Sequence, residues 1–399
     1  MKIKRATFKQ FFGPSIFLIS LIGLSACAST PSESTALSSV QIDSDFSGGH
    51  YSEHTLQPNG VHRLVNEPEV HPINNSPWYA FRLRTDTAQS VPLELFYRHG
   101  THRYVPKIAK AEIGAFPDLE DWSALPADAL TISEDGSFAR FTVEVPENKF
   151  LYVAGQPIFR AKDLIEPIAA LAETTRVIGF SVEQRPLIAF ESAVLPDKPI
   201  IIVVGGQHPP EVPGHLAVRV FLETLLGDSA LANDFREQFG IVALPLVNPD
   251  GLEAGHWRTN CELLDSNRHW GGDWEATEPR EVSQYLSALP GPAAFFIDFH
   301  ATRRNIFYTF EPPYPTDYPG LQVAWLESIN EAYPELDFEI RKGHNPGLNV
   351  SRLWGRKVLN CDSLTFEFGD REPWPSIRET TEFAARGLMR RLLEATKQD

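Results

Sequence analysis

The residues best suited to chemistry in this chain begin at His208-Pro209-Pro210-Glu211. A histidine and a carboxylate three residues apart, on a turn leaving the apolar run Ile200–Val204, can point two ligands at one ion. A hydrolytic Zn²⁺ site takes three protein ligands and keeps its fourth position open. His300 is the candidate third ligand: it ends the apolar run Phe295–Phe299, and strand C-termini are where ligands gather in doubly wound sheets. Asp298 can orient a ligand through a hydrogen bond. HxxE spacing also arises by chance, and His215 offers Glu211 a rival partner, so the case depends on the residues downstream.

Those residues are distinctive. Asn248-Pro249-Asp250-Gly251 reads as a turn closing a strand. Trp257-Arg258 and Asp265-Ser266-Asn267-Arg268-His269-Trp270 follow. Ser363–Gly369 then places Glu367 inside an apolar strand. A buried glutamate is costly unless it is paired or functional. Near a metal it suits a general base that takes a proton from water.

These side chains need a scaffold. Trp78–Arg84, Leu93–His99, Phe138–Val145 and Phe150–Val153 are short aromatic and β-branched runs at the spacing of a β-sandwich, predicted over residues 46–176. Lys162–Glu173 reads as a short helix carrying Pro167. From Val177 onward buried-strand runs (Ile200–Val204, Ile241–Val247, Ala294–Phe299, Leu364–Phe368) alternate with helical periodicity at Glu211–Leu226 and Ser376–Lys397. That alternation predicts an α/β domain over residues 177–399.

The ordered motifs over Val177–Lys397 (HxxE, NPDG, WR, NR, a third His after a strand, and a Thr-Phe-Glu strand) resemble the M14, or funnelin, zinc carboxypeptidases. The resemblance implies an α/β/α domain with a mixed central sheet and one Zn²⁺ on His208, Glu211 and His300. It also implies Glu367 as general base, Arg258 as the cation that polarises the scissile carbonyl, and Asn267 and Arg268 as the clamp on the substrate's terminal carboxylate. Gly255-His256-Trp257-Arg258 with Cys261, and Ile297–His300 with Arg304-Asn305-Ile306-Phe307, look like the cytosolic-carboxypeptidase branch, which includes deglutamylases and carries an N-terminal β-sandwich. Counting back from Glu367 without gaps, the resemblance puts Arg352 at the specificity position and implies a preference for C-terminal Glu or Asp. The other reading of Arg352 is a surface residue in a loop, Asn349–Arg356. The family's mobile Tyr is missing near Asn345, where His344 and Asn345 stand, while Tyr308, Tyr314 and Tyr318 are available elsewhere.

Composition sets the remaining bounds. The chain has 399 residues, 42% hydrophobic and 22% charged, with 32 Pro, a globular composition that an all-helical fold would not tolerate. A net charge of −16 repels phosphate backbones, so nucleic acid is not an expected partner. Basic residues (Lys2, Lys4, Arg5, Lys9) precede the apolar run Phe11–Leu24, which reads as an export signal over residues 1–26. Leu24-Ser25-Ala26-Cys27 resembles a bacterial lipobox, implying a lipid on Cys27, a membrane anchor and a periplasmic protein. Ala28 in place of Asp points to the outer membrane. A Ser/Thr-rich tether is expected over residues 27–45. In that compartment Cys261 and Cys361 either pair or remain free thiols. The expected partner is a peptide with a free C-terminal carboxylate. The alternatives at this stage are an amidohydrolase acting on cell-wall γ-glutamyl or N-acyl-amino-acid bonds, and a non-catalytic envelope lipoprotein.

Overall fold

Ile200–Gly205 contains only Ile, Val and Gly, all of them buried. Such a run satisfies its backbone only inside a sheet covered on both faces. A computed structural model, describing residues 40–271, 276–311, 314, 316–344 and 347–397, places it in the middle of an eight-stranded sheet. The order is Thr174–Phe180, Pro186–Ser192, Gly240–Leu244, Ile200–Gly205, Ala293–Thr302, Asp362–Gly369, Ile306–Thr309, Glu339–Lys342. The strands from Gly240–Leu244 to Asp362–Gly369 run parallel, and Pro186–Ser192 and Ile306–Thr309 join antiparallel, so the sheet is mixed. Side chains alternate between its faces. Ile201 and Val203 pack under the helices Val212–Leu226 and Trp374–Ala395, whereas Ile202 and Val204 pack against Val282, Leu286 and Trp354. The result is three layers, α/β/α.

Upstream lie two five-stranded sheets. One has the order Gln41–Asp43, Ala80–Arg84, Phe150–Ala154, Lys107–Ala111, Ser123–Ala124. The other is Glu53–Leu56, His62–Asn66, Gln89–Tyr97, Phe138–Val145, Thr131–Ile132. Phe138–Val145 alternates buried and exposed along its length, the pattern of a strand with one face on a core. The described residues form one compact unit: Trp78 and Phe81 of the sandwich share a contiguous apolar core with Leu216 and Phe221 of the large domain.

Several boundaries differ from the sequence reading. The expected helix Lys162–Glu173 is Ala161–Ala169 and stops two residues after Pro167. Pro167 has no N–H to give the Asp163 carbonyl, which accepts from Arg219 Nη1 instead (3.3 Å). Thr174–Phe180 already belongs to the large sheet, and Gln41–Asp43, inside the expected tether, pairs with Ala80–Arg84. Ser351–Trp354 is helical, not loop. Cys261 and Cys361 are both free thiols. Residues 1–26, Cys27 and the tether through residue 39 lie outside the described residues, as does Asn345. Among the described residues no helix is long and apolar enough to cross a membrane.

Candidate active site

The candidate ligands are carried by adjacent central strands. Ile200–Gly205 ends in Gly206, whose φ of +64° turns the chain back over the sheet; a Cβ there would sit 2.7 Å from the Pro245 carbonyl. The turn delivers His208 and then Glu211, the residue that opens the helix Val212–Leu226. Three residues on, a Cβ on Gly214 would meet the His300 backbone at 2.7 Å. Glycine there lets the helix lie directly on the strand that carries His300. In the neighbouring strand Glu367 pairs in register with His300.

His208, Glu211 and His300 are all buried, and one candidate ligand atom from each lies within 4.8 Å of the others. His208 Nδ1 is 2.8 Å from Glu211 Oε1, and His300 Nδ1 is 2.7 Å from Glu211 Oε2. Both outer ring nitrogens are held by carboxylates: His208 Nε2 by Asp265 Oδ1 (2.9 Å) and His300 Nε2 by Asp298 Oδ2 (2.8 Å). This directs both Nδ1 atoms inward, the arrangement that fixes imidazoles for a metal. Two imidazoles and a carboxylate form the donor set of an open zinc site, so these residues fit the ion. Burial opposes charge on Glu211, but the two imidazoles hold its carboxyl well below the usual range. His215 is buried against Phe159, its ring nitrogens lack partners among the described residues, and it is not in the converging set.

The other predicted residues surround a cavity of about 410 Å³ whose walls include the three candidate ligands. Glu367 is half-buried in its wall, and its carboxyl is pushed up to about 7 by burial and by the charge of Glu211. Arg258 is buried; its Nε donates to Asp265 Oδ2 (2.6 Å) and its Nη1 lies 3.9 Å from Glu211 Oε1. Asp265 therefore joins a candidate ligand to a cation. Asn267 is also buried, with Nδ2 3.1 Å from His300 Nε2 and Oδ1 accepting from the Ser351 N–H (2.9 Å). Arg268 donates to the Asn267 carbonyl (2.7 Å), and burial lowers its pKa.

Arg352 is only 4% exposed, against the reading of a surface loop residue. It donates to the His344 carbonyl between the Tyr308 and Phe310 rings, whose centroids are 5.9 and 5.3 Å away, and burial brings its pKa down to about 10. Neither Arg268 nor Arg352 is paired with a carboxylate among the described residues. Of the three available tyrosines only Tyr308 lines the cavity, stacked on His344 at 4.7 Å.

The sequence reading missed the sandwich's part in this wall. Glu69 accepts from the backbone N–H groups of Trp257, Arg258 and Thr259 (2.8, 2.9 and 2.6 Å) and fixes the Arg258 loop. Arg103 holds Asp370, three residues after Glu367, through Nε–Oδ2 and Nη2–Oδ1 bonds of 2.8 and 3.1 Å. No local spacing signals either residue. Asp265 was within reach, because an Asp beside Asn267-Arg268 is a natural partner for a ligand imidazole. The NPDG turn clamps the site from behind: Asn248 Nδ2 donates to the carbonyls of Gln207 (3.1 Å) and Thr259 (3.0 Å), tying the ligand loop to the Arg258 loop.

Comparisons agree with this arrangement. A family model described as zinc carboxypeptidase, Peptidase M14, matches residues 169–336, a span that includes every candidate ligand, Arg258, Asn267 and Arg268 but neither Arg352 nor Glu367. Cytosolic carboxypeptidase 1 of Xenopus laevis is 30% identical over 118 residues, 28% of this chain and 10% of that protein. Cytosolic carboxypeptidase 6 of Mus musculus is 28% identical over 111 residues, 26% of this chain and 21% of that protein. The matches thus span between a tenth and about a fifth of these relatives' length. The metallo-carboxypeptidase of Burkholderia cenocepacia superposes with a TM-score of 0.71 at 18% identity, covering 90% of this chain and 99% of its own. The metallo-carboxypeptidase of Pseudomonas aeruginosa, solved with (2-guanidinoethylmercapto)succinic acid, gives 0.70 at 20%, covering 89% and 100%. At such identities the structures speak for the fold alone, sandwich included. Residues 169–336 of the chain thus match the zinc carboxypeptidase family model, and the whole described chain takes the fold of the bacterial metallo-carboxypeptidases.

Proposed function

We propose that this protein is a metallocarboxypeptidase that removes the C-terminal residue of peptides and prefers Glu or Asp there. His208, Glu211 and His300 would hold one zinc ion, which when bound supplies Lewis-acid polarisation of the scissile carbonyl and the attacking water. Glu367, with a pKa near neutrality, takes the proton from that water and passes it to the departing amine. Arg258 faces the oxygen on which charge develops. Asn267 and Arg268 receive the terminal carboxylate, and Arg352 the side chain of the departing residue.

The observation that carries this reading is the pair Arg268 and Arg352, two largely buried cations without carboxylate partners in one cavity with the ligand set. Burying an unmatched guanidinium is expensive, and an anionic substrate end relieves that cost. A neutral side chain leaves Arg352 unpaired, which supports the acidic preference. The test is a mass-spectrometric panel of peptides differing only in a final Glu, Phe or Lys. Glu should be released at least about tenfold faster; faster loss of Phe or Lys removes Arg352 as the selector and leaves the carboxypeptidase.

The N-terminal features support a lipid anchor on Cys27 and a place in the bacterial envelope, at the outer membrane. Replacing Cys27→Ser should release the exported protein from the membrane fraction. Unchanged membrane retention would count against the anchor.

A further inference from the structure

The direction in which a peptide crosses the cavity follows from the two strands at its floor. Asp298, His300 and Thr302 share one face of their strand, as Thr365, Glu367 and Gly369 do of theirs, and the pairs His300–Glu367 and Thr302–Gly369 are in register. Each two-residue step covers about 7 Å. At the Asp298 level Ser351 donates its hydroxyl to Asp298, which anchors the short helix that carries Arg352. At the opposite end the Asp370 N–H donates to the Thr302 carbonyl (2.7 Å), and Asp370 is held by Arg103. His300 and Glu367 therefore stand between an Arg352 end and an Arg103 end. A peptide whose last residue occupies Arg268 and Arg352 leaves past Thr302 toward Arg103 and Ser76, which line the same cavity.

Arg103 is 10% exposed and rigidly held. Its Nε and one Nη2 N–H go to Asp370, and Nη1 donates to the Asn75 carbonyl and Ser76 Oγ, both at 2.9 Å. A guanidinium has five N–H groups. The fifth, on Nη2, has no partner among the described residues. Because the two-point contact with Asp370 already matches its charge, the spare donor suits a neutral acceptor better than a second carboxylate.

We propose that Arg103 binds the first main-chain carbonyl of the substrate upstream of the scissile bond, so that the β-sandwich, and not the catalytic domain, supplies the upstream subsite. This rests on the carboxypeptidase reading. It implies that the enzyme is built for substrates with at least one acylated residue before the terminal one, and that a chain lacking that carbonyl is turned over poorly.

The experiment compares kcat/KM for acetyl-Ala-Glu and for its neutral isostere in which the upstream amide is replaced by an (E)-alkene. The intact enzyme should favour the acetylated peptide by about 10- to 100-fold, the range of a hydrogen bond from a charged donor. Arg103→Met should bring that ratio to about one, mainly by slowing the acetylated substrate. If Arg103 only supports Asp370, the variant slows both substrates alike, the ratio persists, and the proposal falls. Should Arg103→Met not fold, Arg103→Lys is the second variant and the ratio on the unaltered enzyme still decides: a value near one with both peptides cleaved rejects the subsite and keeps the carboxypeptidase. Cleavage of neither peptide by zinc-loaded enzyme rejects the carboxypeptidase reading, and the subsite with it.

Discussion

Glu69→Ala is the perturbation that most sharply probes how the sandwich supports the site. The Glu69 carboxylate accepts three backbone N–H groups in succession, at 2.6 to 2.9 Å, from residues that are themselves buried. Losing an acceptor costs about 1–3 kcal/mol per buried donor left unpaired. The three bonds share one loop, and water reaches part of this edge, so the total should be about 2–4 kcal/mol, not their sum. At roughly 2 °C per kcal/mol for a chain this long, melting should fall by about 4 °C or more. Because Arg258 is one of the three, kcat should fall as well, by about tenfold. Glu69→Gln keeps one acceptor oxygen and should fall between the two. The backbone donors hold the Glu69 carboxyl below its usual 4.5 even though burial pushes it up. A depressed folded pKa stabilises fully above the unfolded value, and the contribution is lost as pH falls through the folded one. The melting gap between wild type and Glu69→Ala should therefore persist at neutral pH and close below about 4.5. Equal melting and equal kcat at pH 7 would refute the argument.

Three further outcomes follow from the same geometry. Glu367→Gln should lower kcat by about 10²–10⁴-fold with zinc content unchanged, measured by metal analysis beside steady-state kinetics. Arg352→Gln should lower kcat/KM for peptides ending in Glu by about 10- to 100-fold and leave those ending in Phe within about threefold; equal losses on both would mark a packing defect. Asp265→Asn weakens the hold on His208 and breaks the pair with Arg258, so zinc affinity should drop about 10- to 100-fold in a competition titration.

How much was legible in the sequence depended on whether the cause was local. Ile200–Gly205 and Phe138–Val145 were readable because burial on two faces and on one face leave different local patterns. The set His208, Glu211, His300 could be assembled because each follows a recognisable strand end, and strand order brings those ends together. Pro167 marked the weak point of a helix but not its last residue, since that depended on Arg219 arriving from another helix to take the freed carbonyl. Glu69 and Arg103 were invisible for the same reason: their partners lie more than 180 residues away in sequence, and only the docking of the sandwich joins them. Arg352 was placed by counting back from Glu367, yet its burial between two aromatic rings is a tertiary fact.

The proposed hydrolase needs a metal at His208, Glu211 and His300 and a free C-terminus on its substrate. The most direct measurement is mass-spectrometric product analysis on one Glu-terminated peptide and its C-terminally amidated twin, with protein as purified, after chelator, and after zinc is returned. Loss of a single Glu from the free-acid peptide only, abolished by chelator and restored by zinc, is the expected result. Cleavage that survives complete metal removal, or that proceeds equally on the amide, would contradict it.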